Sequence, residues 1–346
     1  MKTMELMVFK VINEAGKTWL RLRGKNQLPK LITGVKFNDG IEQLKSNSQN
    51  SQIKTPPDKA IAKNIGYLSQ TTSRSIHMNG VASLPMYDIP EVRTALDEFW
   101  RGLVRYLKRE GIADIPETLE RGASSNQMWD DPSLLFSQCC GYDLVHRYTN
   151  RLTPIVTPHF DAPECLGADY SSVVVVAEDC PHDDVLDMAG TVCAINGPES
   201  HSGMGALQVL VAPASREGRF FRTVKVSGSH VASLALVRRG IADVAAIDSV
   251  TYTLLQRHRP GALEGLRKLG RTFHAPGVPY VTHANFDMAF VARMRTALFR
   301  LFADPNLQSV RQTLLLDKVE FLPVQAYERL IADRERAASY GFSMMN

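Results

Sequence analysis

No stretch of this 346-residue chain approaches the roughly 18 uncharged apolar residues that would mark a membrane-spanning helix. The longest strongly apolar run, residues 173–177, has the length of a buried strand. Cysteine is scarce, five in all, and every one lies at or beyond Cys139. An odd number cannot complete a disulfide framework, so reduced thiols are expected. Cys139 and Cys140 are adjacent and form no Cys-x-x-Cys redox pair, and Cys165, Cys180 and Cys193 show no zinc-like pairing with histidine. His159 and His182 lie near acids and read as solvated loop. Gly-x-Ser-x-Gly, His-Glu-x-x-His, Gly-x-Gly-x-x-Gly and a P-loop are all missing, and no nucleophile–base pair is visible. No catalytic residue, cofactor or metal site is therefore expected.

Lysine is nearly absent from most of the chain: 10 of 14 lysines precede residue 77, whereas 23 of 26 arginines follow Arg74. The net charge of +4 divides at the same place, with +8 over residues 1–76 and −4 over the remainder. Solvated Lys and Arg differ too little to force such a switch, which points to two sources of different coding bias. The basic segment is read as one amphipathic helix up to about Trp19, a turn at Asn38-Asp39-Gly40 and a linker through residues 46–52 and Pro56-Pro57. Its charge suits nucleic acid, but a solvated basic tail is the simpler reading, and no nucleic-acid partner is expected. Glu5 and the lack of an apolar core with a small-residue cleavage site argue against a signal peptide.

What is present, at 44% apolar and 22% charged residues, is ordinary globular composition, long enough for one large or two ordinary domains. From Val81 onward short apolar runs alternate with amphipathic stretches. Strands are expected at 81–86, 134–137, 170–177, 191–195, 223–226, 244–247 and 279–282. Helices are expected at 91–109, from Gly141, and at 204–211, 231–238, 250–256 and 288–302. Such alternation indicates an α/β fold with parallel sheets covered on both faces.

Open α/β sheets bind ligands at the carboxyl ends of their strands. Five such places carry hydroxyls, small residues or histidine: Tyr87-Asp88, residues 138–142, Tyr170, residues 200–203, and Ser229-His230 with Asp248. Asn196-Gly197-Pro198-Glu199-Ser200-His201-Ser202-Gly203 follows a strand and opens a helix, where free N–H groups and the dipole favour an anion. Ser200 and Ser202 either add donors to that anion or cap the helix. His230 either donates to the same anion or occupies a capping or surface position. Asp248 suits orienting His230, accepting an anion's O–H or capping the next helix, and the cap is the favoured reading.

Two resemblances add to these readings. Residues 8–42, with Lys-Thr-Trp, Asn-Gln-Leu-Pro-Lys and Gly-Val-Lys-Phe-Asn-Asp-Gly in order, resemble the C-terminal end of mutator-type transposases without their acidic catalytic residues. That implies a read-through fusion. Residues 80–330 resemble the PhnD-like phosphate/phosphite/phosphonate substrate-binding proteins of ABC transporters, a type 2 periplasmic-binding fold. The blocks that carry this resemblance are Asp169-Tyr170-Ser171-Ser172-Val173-Val174-Val175, the Asn196–Gly203 stretch, and Ser229-His230 through Gly240-Ile241-Ala242-Asp243-Val244-Ala245.

The second resemblance implies two lobes joined by two crossings, with residues 77–172 plus 276–346 in lobe one and 173–275 in lobe two, preceded by a poorly structured extension over 1–76. It implies that Tyr170, Ser200, His201, Ser202 and His230 hold phosphoryl oxygens, and Tyr87 and Gln138 are added from their strand-end positions. Aminoalkylphosphonate binders of this family carry an acid after Pro-Gly in the second crossing. Here the stretch is Pro276-Gly277-Val278, so phosphate, phosphite or a simple phosphonate is expected. The implied partners are that small oxyanion and a transporter permease, with the protein itself a monomer. The resemblance implies a periplasmic location, whereas the chain as encoded also suits the cytoplasm. The rivals are a cytosolic sensor or transcriptional regulator on the same fold, and a biosynthetic enzyme for a pyrimidine cofactor.

Overall fold

The computed structural model describes residues 37–38, 41–42, 80–342 and 344. The chain divides into two compact units, residues 1–74 and 75–346. In the first, Phe37–Asn38 pairs antiparallel with Ile41–Glu42. The helix expected up to about Trp19, the linker and the rest of the transposase-like stretch lie outside the described residues.

The second unit runs, in order, β1 (Val81–Ala82), α1 (Arg93–Arg109), α2 (Ser125–Asp130), β2 (Leu134–Gln138), α3 (Gly141–His146), β3 (Leu152–Phe160), β4 (Cys165–Leu166), β5 (Asp169–Tyr170) and β6 (Ser172–Ala177). Then come β7 (Val192–Ile195), a π-helical turn (His201–Gly205), α4 (Ala206–Val211), β8 (Thr223–Val226), α5 (His230–Arg238), β9 (Val244–Asp248), α6 (Ser249–His258) and β10 (Leu266–Arg271). The chain ends with β11 (Ala275–Pro276), β12 (Tyr280–His283), α7 (Met288–Ala303), α8 (Gln308–Thr313), β13 (Leu316–Glu320) and α9 (Arg329–Ser339).

Two five-stranded sheets result, in the orders β13-β3-β12-β2-β1 and β8-β7-β9-β6-β10. The chain leaves the first sheet after Phe160, builds the second from Ser172 to Arg271, and returns at Tyr280. The two passages pair with one another, since β5 and β11 lie antiparallel in a small third sheet with β4. Thr272 and Ser172 lock the start of the return, with Thr272 N–H donating to Ser172 O at 2.9 Å and Ser172 N–H to Thr272 Oγ1 at 2.9 Å.

Strand β6 shows why the residues choose this arrangement. Its β-branched valines suit a pleated, fully buried strand. Period-two alternation sends Val174 and Val176 into one core and Val173 and Val175 into another, on opposite faces. Among the described strands only β8-β7-β9 and β1-β2 are parallel, so the sheets are mixed and not the parallel ones that alternation of strands and helices indicated. Strands β3, β10 and β13 were not anticipated. Strand β3 carries Pro154 and Pro158, residues that lack the N–H a central strand uses, while β10 and β13 are charged edge strands with weak burial patterns.

Helix α1 starts after a 3-10 turn at Pro90–Val92 and buries Leu96, Phe99, Leu103 and Leu107, the face its spacing indicated. At the other end of the chain, Leu330 joins a cluster with Cys139, Tyr142 and Tyr327 of the first sheet's side. Ala337, Phe342 and Met344 join the core of the second sheet. The C-terminal stretch expected wholly with lobe one therefore touches the cores of both sheets. Among the described residues no helix is long and apolar enough to cross a membrane.

Candidate functional site

The carboxyl ends of strands from both sheets converge on a cavity of about 540 Å³. Tyr87 and Asp88 come from the loop after β1, Cys140 from the end of β2, Tyr170 from the crossing, Ser200 and Ser202 from the turn after β7, Ser229 and His230 from the start of α5, and Asp248 from the end of β9. Each of the five strand-end places named from the sequence thus contributes lining. Gln138 and His201 do not line it. Gln138 is buried within β2, its carbonyl accepting from Trp129 Nε1 at 3.0 Å, and His201 is buried behind the turn.

Serine, glycine and histidine meet here because of how the turn is built. Ser200 caps it, its Oγ accepting from Gly203 N–H at 3.1 Å. The turn is widened to π geometry, a feature frequent at functional sites, and Gly205 N–H reaches back to Ser200 O at 3.0 Å. Gly203 is required, because a Cβ there would overlap the Asn196 carboxamide and sit 3.2 Å from His230 Cε1. The hydroxyl of Ser202 is not used as a cap. It stands 3.0 Å from His230 Nε2 and 3.5 Å from Ser200 Oγ. Ser229 is the cap of α5, with its Oγ accepting from Ala232 N–H at 3.1 Å, which leaves the His230 imidazole available.

Burial pushes His230 down to about 4, with the Ala246 backbone offsetting a little, and pushes His201 down to about 3, helped by Arg334 and Arg329. Both are neutral at physiological pH. Asp248 caps α6 by accepting from Thr251 N–H at 2.9 Å and also accepts from the Tyr87 hydroxyl at 3.2 Å. Burial nonetheless raises it to about 6. Asp143 also lines the cavity and is raised to about 6 by burial, with Arg147 and Arg334 pulling it down and Glu199 pushing it up. Asp88 is held by Arg93 and Arg121 at 3.2 and 2.9 Å. The donors lining this cavity thus include the hydroxyls of Ser200, Ser202 and Tyr170, the neutral imidazole of His230 and the Arg147 guanidinium, and the arrangement suits one small oxyanion.

The sequence reading missed Ser124, Asn126, Trp129 and Arg147 in the lining, whereas Val278, at the position singled out for an ammonium partner, does line it. The capping box of Ser124 and Gln127 was the signal that could have revealed α2. It also saw no nucleophile beside a base, yet Ser202 and His230 make such a contact. Asp248 Oδ1 and Oδ2 accept from Thr251 and Tyr87 and each keeps a second lone pair, but neither bonds His230, whose Nδ1 has no hydrogen-bond partner among the described residues.

A two-sheet α/β fold with paired crossings and a cavity at its strand ends is the architecture of a solute-binding protein, and the family match gives it that role. The family model of the periplasmic substrate-binding protein of phosphonate ABC transporters matches residues 136–327, more than half the chain, and the chain belongs to that family. A small ligand and a transporter permease are the partners this membership implies. PhnD1 of Prochlorococcus marinus, solved with methylphosphonate, is 15% identical with a TM-score of 0.62, covering 76% of this chain and 99% of that one. A binding protein component of an ABC phosphonate transporter from Pseudomonas aeruginosa is 15% identical, with a TM-score of 0.59, covering 75% and 87%. A Xanthomonas citri protein bound to chloride is 16% identical, with a TM-score of 0.60, covering 76% and 100%. At these identities the likeness is one of fold. No curated protein matches in sequence.

Proposed function

We propose that this protein binds phosphate, phosphite or a simple phosphonate such as methylphosphonate in the periplasm and delivers it to a permease. The observation that carries the reading is the meeting of Ser202 and His230 at two helix starts within one cavity. In the free protein they satisfy one another, and an oxyanion would take both, with Ser200 and the buried hydroxyl of Tyr170 beside them. The two sheets act as lobes, residues 77–172 plus 276–346 and 173–275, that close over the ligand.

Asp248 gives the site a preference. A buried carboxylate with a raised protonation point accepts an O–H from a monoprotonated phosphoryl group. Sulfate has no proton to offer at neutral pH and would face the carboxylate lone pair. Val278, buried and in the lining, presents an apolar wall where an ammonium would need a partner. The PhnD1 complex with methylphosphonate, a ligand with one methyl and no ammonium, supports the same choice.

The Ser202–His230 contact is also what a hydrolase needs, but among the described residues no carboxylate is hydrogen-bonded to His230. A thermal-shift panel of phosphate, phosphite, methylphosphonate, aminoethylphosphonate and sulfate tests the reading. A bound ligand at 100 times its Kd stabilises by about 2.7 kcal/mol. Methylphosphonate or phosphate should stabilise and sulfate should not; turnover of a phosphate ester without any such shift would favour the enzyme.

A further inference from the structure

We propose that Arg334, on the C-terminal helix α9, is a positioning residue for the oxyanion site. It holds the Ser200–Ser202 turn from behind and ties it to the first sheet's side. The inference rests on the proposed reading of the cavity.

Four observations converge on this side chain. Arg334 Nη2 donates to the carbonyl oxygen of Ser200 at 2.8 Å. That carbonyl already accepts from Gly205 N–H in the π turn, so the arginine uses its remaining acceptor capacity. The guanidinium lies over the Tyr142 ring at 3.6 Å from its centroid, and Tyr142 belongs to α3 beside the first sheet. A Cβ on residue 205 would meet Arg334 Nε at 2.5 Å, so the second glycine of Ser-Gly-Met-Gly makes room for this side chain.

The consequence is mechanical as well as electrostatic. Ser200 and Ser202 take their geometry from a widened turn that lacks the regular helical bond pattern. A rigid planar group bonded to its first carbonyl and stacked on an aromatic ring restricts that turn, which an ammonium on a flexible stem would do less well. The cation also lies directly behind the Ser200 carbonyl, on the turn whose hydroxyls line the cavity. The charged or titratable groups around it are Glu199 and His201 on the turn, Asp143 on α3, and Arg329 on its own helix.

The test is calorimetric titration of methylphosphonate into native protein, Arg334→Met, Arg334→Lys, Ser202→Ala and the double variant, with the melting temperature of each ligand-free protein. Loss of Arg334 should weaken binding about tenfold, equivalent to about 1.4 kcal/mol. Lysine should restore part of this, and in the double variant the loss should be smaller than the product of the single losses, because Arg334 acts through the same turn. A purely structural arginine would lower the melting temperature and leave affinity unchanged, or give fully independent losses; either result overturns the proposal. Should Arg334→Met fail to fold, Tyr142→Leu removes the stack and should weaken binding in the same direction; native affinity in that variant would count against the proposal. If native protein binds neither methylphosphonate nor phosphate, the reading of the cavity fails and the positioning role falls with it. If native protein binds and only the Arg334 variants behave as native, the positioning role alone fails.

Discussion

Ser202 Oγ and His230 Nε2 stand 3.0 Å apart although 28 residues separate them in the chain. Adjacent parallel strands β7 and β8 end side by side, so the turn and helix that follow them open onto the same space. His230→Ala should weaken methylphosphonate binding by one charge-assisted hydrogen bond, about 1–3 kcal/mol or roughly 5- to 150-fold. Isothermal titration reads this directly, and an unchanged Kd would remove His230 from the site.

Burial also fixes the charge of this histidine. Its folded protonation point, about 4, lies below the unfolded one near 6.5, so the imidazole stays neutral across physiological pH. It therefore opposes folding only as pH falls below about 6.5 towards 4. A nuclear magnetic resonance titration of the ligand-free protein should place the His230 midpoint near 4. A midpoint near 6.5 would show a solvated ring.

Asp248 behaves in the opposite sense. With its protonation point raised to about 6, its ionised form is disfavoured in the folded protein. Stability is then lost as pH rises from the unfolded value near 4 through about 6, and the loss is complete above that. Asp143 follows the same trend and the two histidines oppose it, so the clean comparison is Asp248→Asn against native. The stability of the variant relative to native should rise by up to about 3 kcal/mol between pH 4 and pH 8. Urea unfolding at several pH values measures it, and a flat difference would contradict the burial argument.

Gly203→Ala should damage the site more than its size suggests, because the added carbon overlaps Asn196 and crowds His230. A loss of affinity beyond tenfold and a lowered melting temperature are expected. Gly261→Ala, where nothing lies within 4 Å of the added carbon, serves as the control and should behave as native. Equal behaviour of the two variants would show that the turn tolerates a side chain.

Val278 sets the predicted preference against an ammonium. Val278→Asp should shift relative affinity toward aminoethylphosphonate over methylphosphonate by tenfold or more, at a cost in ligand-free stability from burying an acid. Competition titration reads the ratio. Native protein that already prefers the aminoethyl compound would place its ammonium partner elsewhere in the lining.

Much of this was legible in the sequence where one residue type carries its own signal. The valine run at 173–176 announced a central strand, and serines with glycine after an apolar run announced a helix start suited to an anion. Tyr170 and His230, named from strand-end position together with family resemblance, both line the cavity. Legibility failed where neighbours decide the outcome. Pro154 and Pro158 are tolerated in β3, where no strand was expected, and the alternation of strands and helices gave no hint that β6 pairs antiparallel on both sides. Arg334 has no local signature at all, since a lone arginine in a charged helix looks solvated until Ser200 and Tyr142 are seen beside it.

The most direct test of the central claim is calorimetric titration of methylphosphonate into native protein and Ser202→Ala. One binding site is expected in native protein, with an affinity lowered roughly 5- to 150-fold by the loss of that hydroxyl. Saturable binding that is indifferent to Ser202, or no binding of methylphosphonate or phosphate at all, would contradict it.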